Sequence, residues 1–186
     1  GDLYVAAGRA AEAAAAQEEA IAWYDRVAAA HAGAPVQVAA LVKKADVLAR
    51  QRRAAESAAV LDEARALPQA AAVEEGILYS QGLLHEVTMG DPRGAIPYYR
   101  ELLERHGDGP RAGQVILRLG VAYAAVGRAD SSQAQFDRAE REHGRDLSIA
   151  SEARALAARL SFETGDTGEA IRRLRALAVD YPRTSA

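Results

Sequence analysis

No cysteine occurs in the 186-residue chain, which removes disulfides, thiolate metal sites, iron–sulfur ligation, C-x-x-C-H haem attachment and any cysteine nucleophile. Asparagine is absent as well, lysine is confined to Lys43 and Lys44, and aromatic residues make up 5% of the sequence. Charge of neither sign dominates: 23 Lys+Arg against 26 Asp+Glu leave −3 at neutral pH. That is too little for bulk attraction to nucleic acid or an anionic membrane. No apolar run approaches the ~18 residues of a membrane span. What is plentiful is alanine, 45 residues, accompanied by Arg, Leu and Glu. These side chains lose little rotamer freedom in a helix, so composition predicts an all-α protein.

The chain repeats itself. Ala20-Ile21-Ala22-Trp23-Tyr24, Ala95-Ile96-Pro97-Tyr98-Tyr99 and Ala170-Ile171-Arg172-Arg173-Leu174 recur at separations of 75 residues. Ser57-x-x-x-Leu61-x-x-Ala64 and Ser132-x-x-x-Phe136-x-x-Ala139 lie midway, so successive offsets are 37, 38, 37 and 38. About five units fill residues 1–35, 36–70, 71–109, 110–146 and 147–186, a single array without a linker long enough to separate domains. The chain starts without an initiator methionine, inside what reads as a first helix, and Tyr181-Pro182-Arg183-Thr184 opens toward a sixth unit. A piece of a longer protein is expected.

Each unit reads as two helices. In the fourth, Leu119-Gly120-x-x-Tyr123 precedes Gly127-Arg128, then Phe136, Ala139 and finally His143-Gly144. This pattern resembles the tetratricopeptide repeat: an apolar residue and Gly, then Tyr, a turn Gly, a small residue, an aromatic and Ala. The fifth unit departs at its Tyr position but keeps Gly165, Ala170, Leu174 and Pro182. The resemblance covers essentially the whole chain and implies an α-solenoid, a right-handed superhelix of helix-turn-helix repeats, whose inner wall is a groove.

The motif positions have direct physical reasons. Gly120 and Ala45 must be small where two helices cross closely, while Tyr24, Leu61, Tyr99, Phe136 and Leu174 fill the gap toward the next unit. Gly90, Gly127 and Gly165 end first helices in a left-handed conformation. First-half helices are predicted near residues 36–50, 71–88, 110–126 and 147–164, and second-half helices near 54–66, 92–105, 129–142 and 168–180. The first unit has two readings. Gly8 can be the turn glycine of the motif, or Ala20, Tyr24 and Val27 can form its second half. The readings differ by 7 residues, almost two helical turns, and one long helix over about residues 10–31 accommodates both.

Catalytic and cofactor motifs find no support. His31, His106 and His143 each precede a glycine at the end of a helix, where imidazolium is favoured by the exposed carbonyls, and His85 sits beside Glu86 near the end of a first helix. Repeat-equivalent histidines lie one repeat apart and do not converge on a metal. Gly107-x-Gly109-x-x-x-Gly113 follows a helix and contains Pro110, so it reads as an inter-repeat turn rather than a phosphate loop. Adjacent acids such as Glu18-Glu19 and Glu74-Glu75 point apart on a helix. Arg52-Arg53 and Arg172, Arg173 and Arg175 are too far apart in sequence, and too interleaved with acids, to form a nucleic-acid track. The aromatic pairs Trp23-Tyr24 and Tyr98-Tyr99 read as packing residues.

The expectation is a non-enzymatic scaffold without cofactor or metal, which binds a peptide or protein partner and neither nucleic acid nor membrane interior. The resemblance places ligand-contacting side chains on the first helix of each repeat; matched here, these are Lys43, Asp46, Arg50, Tyr79, Glu86, Gln114, Arg118 and Arg154. A clamp for C-terminal carboxylates built from Lys and Asn is disfavoured, because there is no Asn. Asp180-Tyr181-Pro182-Arg183-Thr184 and the Ala-Ile-x-x-Tyr units are similar to outer-membrane-assembly and Tol-associated lipoproteins of bacterial envelopes, which favours a periplasmic setting. Two alternatives stand beside this: a sensor or regulatory segment of a larger enzyme or transcription regulator, and a self-assembling spacer.

Overall fold

The computed structural model describes residues 17–181 together with Ala6 and Gly8. The chain divides into two compact units, residues 1–91 and 92–186. The division falls inside the third predicted repeat, between its first helix and Pro92. Among the described residues every regular element is helical.

The first unit holds α1 (Gln17–Ala30), α2 (Pro35–Arg50), α3 (Ala54–Ala66) and α4 (Glu74–Leu83). Consecutive helices pack together, and α2 also meets α4, as expected where the first helices of neighbouring hairpins stack. Tyr24, Val27, Val38, Leu48, Leu61 and Ile77 form the buried centre. Gly8 stands against Tyr24: a Cβ placed on it would lie 2.9 Å from the ring. That pair has the spacing of Gly120 and Phe136, so the contact supports the reading in which Tyr24 anchors a second helix and Gly8 is the small crossing residue. The single helix expected over residues 10–31 does not hold: at 1.5 Å per residue it would keep positions 8 and 24 about 24 Å apart, whereas Gly8 and Tyr24 touch, and the helix that carries Tyr24 spans Gln17–Ala30; residues 10–16 lie outside the described ones.

The second unit holds α5 (Pro92–His106), α6 (Ala112–Ala125), α7 (Ala129–Glu142), α8 (Leu147–Glu163) and α9 (Thr167–Asp180). Consecutive helices again pack, and α6 also meets α8. Tyr99, Leu102, Ile116, Phe136 and Ala139 are fully buried or nearly so. Asp146 caps α8 by accepting from the backbone N–H groups of Ser148 and Ile149, and Asp166 caps α9 by accepting from Glu169. Each cap satisfies donors that the first turn leaves open.

First helices end on one recurring backbone device. Arg53 N–H donates to Leu48, Arg128 to Tyr123 and Asp166 to Ser161, each five residues back, at 3.0, 2.8 and 2.8 Å. The bond closes around a residue with positive φ: Arg52, Gly127 and Gly165. Such closures satisfy orphan carbonyls of the last turn.

The third first-half helix departs from expectation. Instead of one α-helix over residues 71–88, a 3-10 stretch (Pro68–Val73) leads into α4, and a π-helical turn (Leu84–Thr88) leaves it. Pro68 starts the 3-10 stretch with the fixed φ suited to a first turn, and Val73, which precedes α4, has no side-chain capping bond. At the other end Met89 N–H reaches Leu84 at 2.9 Å and Asp91 N–H reaches His85 at 2.8 Å, six residues back around Gly90. The closure is therefore one residue wider than in the other units.

Leu174 also differs. Its equivalents Tyr24, Leu61, Tyr99 and Phe136 are at most 2% exposed, whereas Leu174 is 52% exposed. Among the described residues no helix follows α9 to cover it.

Candidate functional site

In the first unit, α2 carries Lys43, Asp46 and Arg50, and α4 with its π-helical turn carries Tyr79 and Glu86. The two elements are joined by side chains. Asp46 Oδ1 accepts from Ser80 Oγ at 2.9 Å, and Asp46 Oδ2 faces Lys43 Nζ at 3.4 Å. Lys43, Asp46 and Ser80 thus form one polar strip across two neighbouring first helices, and Tyr79 is half-buried on α4. Asp46 is held from both sides, which fixes its carboxylate. Arg50 is exposed at the end of α2. Glu86 is half-buried in the π-helical turn, next to His85, whose Nδ1 lies 3.3 Å from Asp91 Oδ2.

In the second unit, Gln114 and Arg118 lie on α6, the first exposed and the second half-buried. Arg154 on α8 has another task. Its Nε donates to Glu140 of α7 at 3.0 Å, its Nη1 donates to Asp180 of α9, and its guanidinium lies over the Tyr181 ring at 5.2 Å. The hydrogen bond with Glu140 is the main reason its pKa is raised above the ordinary value, with burial opposing. The arginine therefore joins three helices through two acids.

Three of the four histidines occupy helix ends: His31 directly after α1, His106 as the last residue of α5, and His143 at the end of α7. His143 has a packing role that its position in the sequence did not announce. Its ring lies where Gly113 would carry a Cβ, at 3.1 Å, so α6 starts tightly against it. Of the two aromatic pairs, Tyr24 and Tyr99 are fully buried; Trp23 and Tyr98 are half-buried, and Arg26 lies over the Trp23 ring at 5.1 Å. Among the described residues no group of three or more His, Asp or Glu is placed to hold a metal ion, and no helix is long and apolar enough to cross a membrane.

Sequence reasoning missed Ser80, Glu140 and Asp180. Ser80 stands 34 residues from its partner Asp46 and Asp180 stands 26 from Arg154; such pairings exist only once repeats are stacked.

A sequence profile described as the tetratrico peptide repeat matches residues 75–185. No curated protein matches the chain. Among solved structures, a tetratricopeptide repeat protein from Parabacteroides merdae superposes with a TM-score of 0.77 at 17% identity, over 98% of this chain and 67% of that one. MamA from Desulfovibrio magneticus gives 0.76 at 14% identity, over 99% and 96%. YrrB, described as a TPR protein with an unusual peptide-binding site, gives 0.67 at 16% identity, over 97% and 86%. At these identities the likeness is one of fold. Together with the matched profile and the hairpins that it spans, it places the chain in the tetratricopeptide repeat family.

Proposed function

We propose that the chain is a non-enzymatic interaction scaffold whose first-helix face binds a peptide or protein partner. The observation that carries this reading is the strip of Lys43, Asp46 and Ser80 across α2 and α4, where polar side chains are fixed by packed helices rather than left on loops. A surface built in this way loses little conformational entropy on binding. In the second unit Gln114 and Arg118 supply the corresponding contacts on α6. Arg154, tied to two acids, acts by holding α7, α8 and α9 around them. The peptide-binding site that gives YrrB its description is consistent with this use of the fold. Affinity capture with the full-length protein, identified by mass spectrometry, tests the proposal. A partner whose capture is lost in Lys43→Glu and Arg118→Glu, with unchanged thermal melts, supports it. A partner captured equally by both variants overturns the assignment of the face.

The self-assembling alternative has one observation of its own. Ile171, Leu174 and Val179 on α9 are 45%, 52% and 78% exposed. A scaffold that uses this face to self-associate forms concentration-dependent oligomers in light scattering, and Leu174→Glu dissolves them.

A further inference from the structure

In three units the residue after the anchoring side chain is an acid that ties its helix to a later one. Asp25, after Tyr24, accepts from Lys44 at 2.6 Å; Asp62, after Leu61, accepts from Gln81 at 3.2 Å; Asp137, after Phe136, accepts from Arg173 at 3.5 Å. In the third unit the residue after Tyr99 is Arg100. The charge is reversed, as it is at Arg175 of the fifth repeat, and Arg100 donates to Glu104 of its own helix at 3.5 Å, with both side chains more than half exposed.

A pocket of about 180 Å³ opens at this seam, between α5, α6 and α7. Leu103, Leu119 and Tyr123 supply its apolar wall, and Arg100, Gln135 and Arg138 its polar groups, with Glu104 at the edge. Gln135 occupies the place that Arg173 takes one repeat later, where the seam is closed by the bond to Asp137. Here the Gln135 Oε1 atom is buried without a hydrogen-bond partner. Buried amides without partners are costly. The carboxamide can turn over about its last bond, which exchanges acceptor for donor at the same point.

We propose that this pocket receives the carboxylate of a glutamate side chain from a partner peptide, which takes the place of the acid that the third unit lacks. Arg100 and Arg138 donate charge-assisted hydrogen bonds to it. Gln135 turns its NH2 inward as a further donor, and the glutamate stem lies on Leu103, Leu119 and Tyr123. Arg100 exchanges an exposed bond within its own helix for one in a partly enclosed site, where charge pairing is stronger. The site lies beside the second helices α5 and α7 and does not depend on the first-helix face proposed above.

The test uses amide NMR spectra of the isotopically labelled chain, titrated with the blocked tripeptides acetyl-Ala-Glu-Ala-amide, its Gln analogue and its norleucine analogue. The Glu peptide is expected to shift Leu119, Tyr123 and Gln135 in a saturable, salt-sensitive way, with the Gln peptide about tenfold weaker. Arg100→Asp introduces the acid that the first, second and fourth repeats carry at this place; it is expected to abolish binding without lowering the melting temperature. Gln135→Leu fills the pocket and gives a second variant with the same outcome. Lys43→Glu leaves the titration unchanged, which separates this site from the first-helix face. Equal binding of the Gln or norleucine peptide, shifts confined to other residues, no saturable shift, or binding retained in both pocket variants would overturn the proposal.

Discussion

A Cβ placed on Gly120 would stand 2.5 Å from Cε1 of Phe136, a side chain only 2% exposed. The ring occupies the volume that any other residue at position 120 would need. Close approach, not backbone freedom, makes this glycine necessary: it lies inside α6, with no left-handed φ. Gly120→Ala is therefore expected to destabilise the second unit by about 1–3 kcal/mol through overpacking. Combining it with Phe136→Leu should cost less than the sum of the two single changes, because the smaller side chain yields the space. Chemical denaturation of the four proteins in the cycle measures this. Strict additivity would mean that the two residues do not share a contact.

Ser57 and Ser132 are repeat-equivalent, 75 residues apart, yet their hydroxyls have different surroundings. Ser57 Oγ donates to the Ala45 carbonyl at 2.8 Å, whereas Ser132 Oγ is buried without a hydrogen-bond partner. Alanine occupies the same place in the other units, at Ala20, Ala95 and Ala170, each no more than 3% exposed. Ser57→Ala is expected to cost about 1 kcal/mol, the usual net value of a hydrogen bond, while Ser132→Ala is neutral or stabilising by a similar amount. Thermal melts of the two variants should move apart. Equal destabilisation by both would remove the distinction drawn between the hydroxyls.

The helix bounds show where sequence reading succeeds. The predicted spans of α3 and α7 coincide with the observed Ala54–Ala66 and Ala129–Glu142, because each begins after a tight turn and carries its apolar residues at helical spacing. The Pro68–Val73 stretch failed for an equally local reason: three consecutive alanines suit α and 3-10 turns alike, and the choice falls to packing against α2 and α3. The π-helical turn at Leu84–Thr88 has no counterpart in residue spacing. Of the polar residues, Lys43 and Asp46 were placed on a first helix through the resemblance alone; their pairing one turn apart on α2 is what helical spacing allows. The bonds from Ser80 to Asp46 and from Arg154 to Glu140 and Asp180 were not legible, since repeat register decides them. Arg154, matched to a ligand-contacting place by the resemblance, bonds to acids of the two neighbouring helices.

Arg52 marks a position where the second repeat differs from the third, fourth and fifth. It has φ of 63°, and Gly90, Gly127 and Gly165 fill the equivalent place with φ of 64°, 77° and 90°. A side chain in the left-handed region costs roughly 1–2 kcal/mol, part of which glycine returns through the greater entropy of its unfolded state. Arg52→Gly should raise stability by about 0.5–1 kcal/mol, and Arg52→Val should lower it, since a branched Cβ tolerates this conformation least. Urea denaturation with an unchanged slope would show that the gain arises from the folded turn.

Arg154 bridges Glu140 and Asp180 from a single guanidinium, 16% exposed, with Tyr181 stacked on it. A planar fork can serve two carboxylates from different helices at once; an ammonium is a point charge on a flexible stem. Arg154→Lys is thus expected to lose about 1 kcal/mol although the charge is kept, and Arg154→Ala to lose more, because Glu140 and Asp180 are then left without their shared cation. The loss in Arg154→Ala should be partly recovered by Glu140→Gln, which removes one of the two acids. Salt should narrow the difference between wild type and variant, as screening weakens the bridge in the folded chain. Thermal melts at low and high salt test these expectations. If Arg154→Lys melts with the wild type at both salt concentrations, the bridge does not fasten α8 to its neighbours, and Arg154 returns to the set of arginines available to a partner.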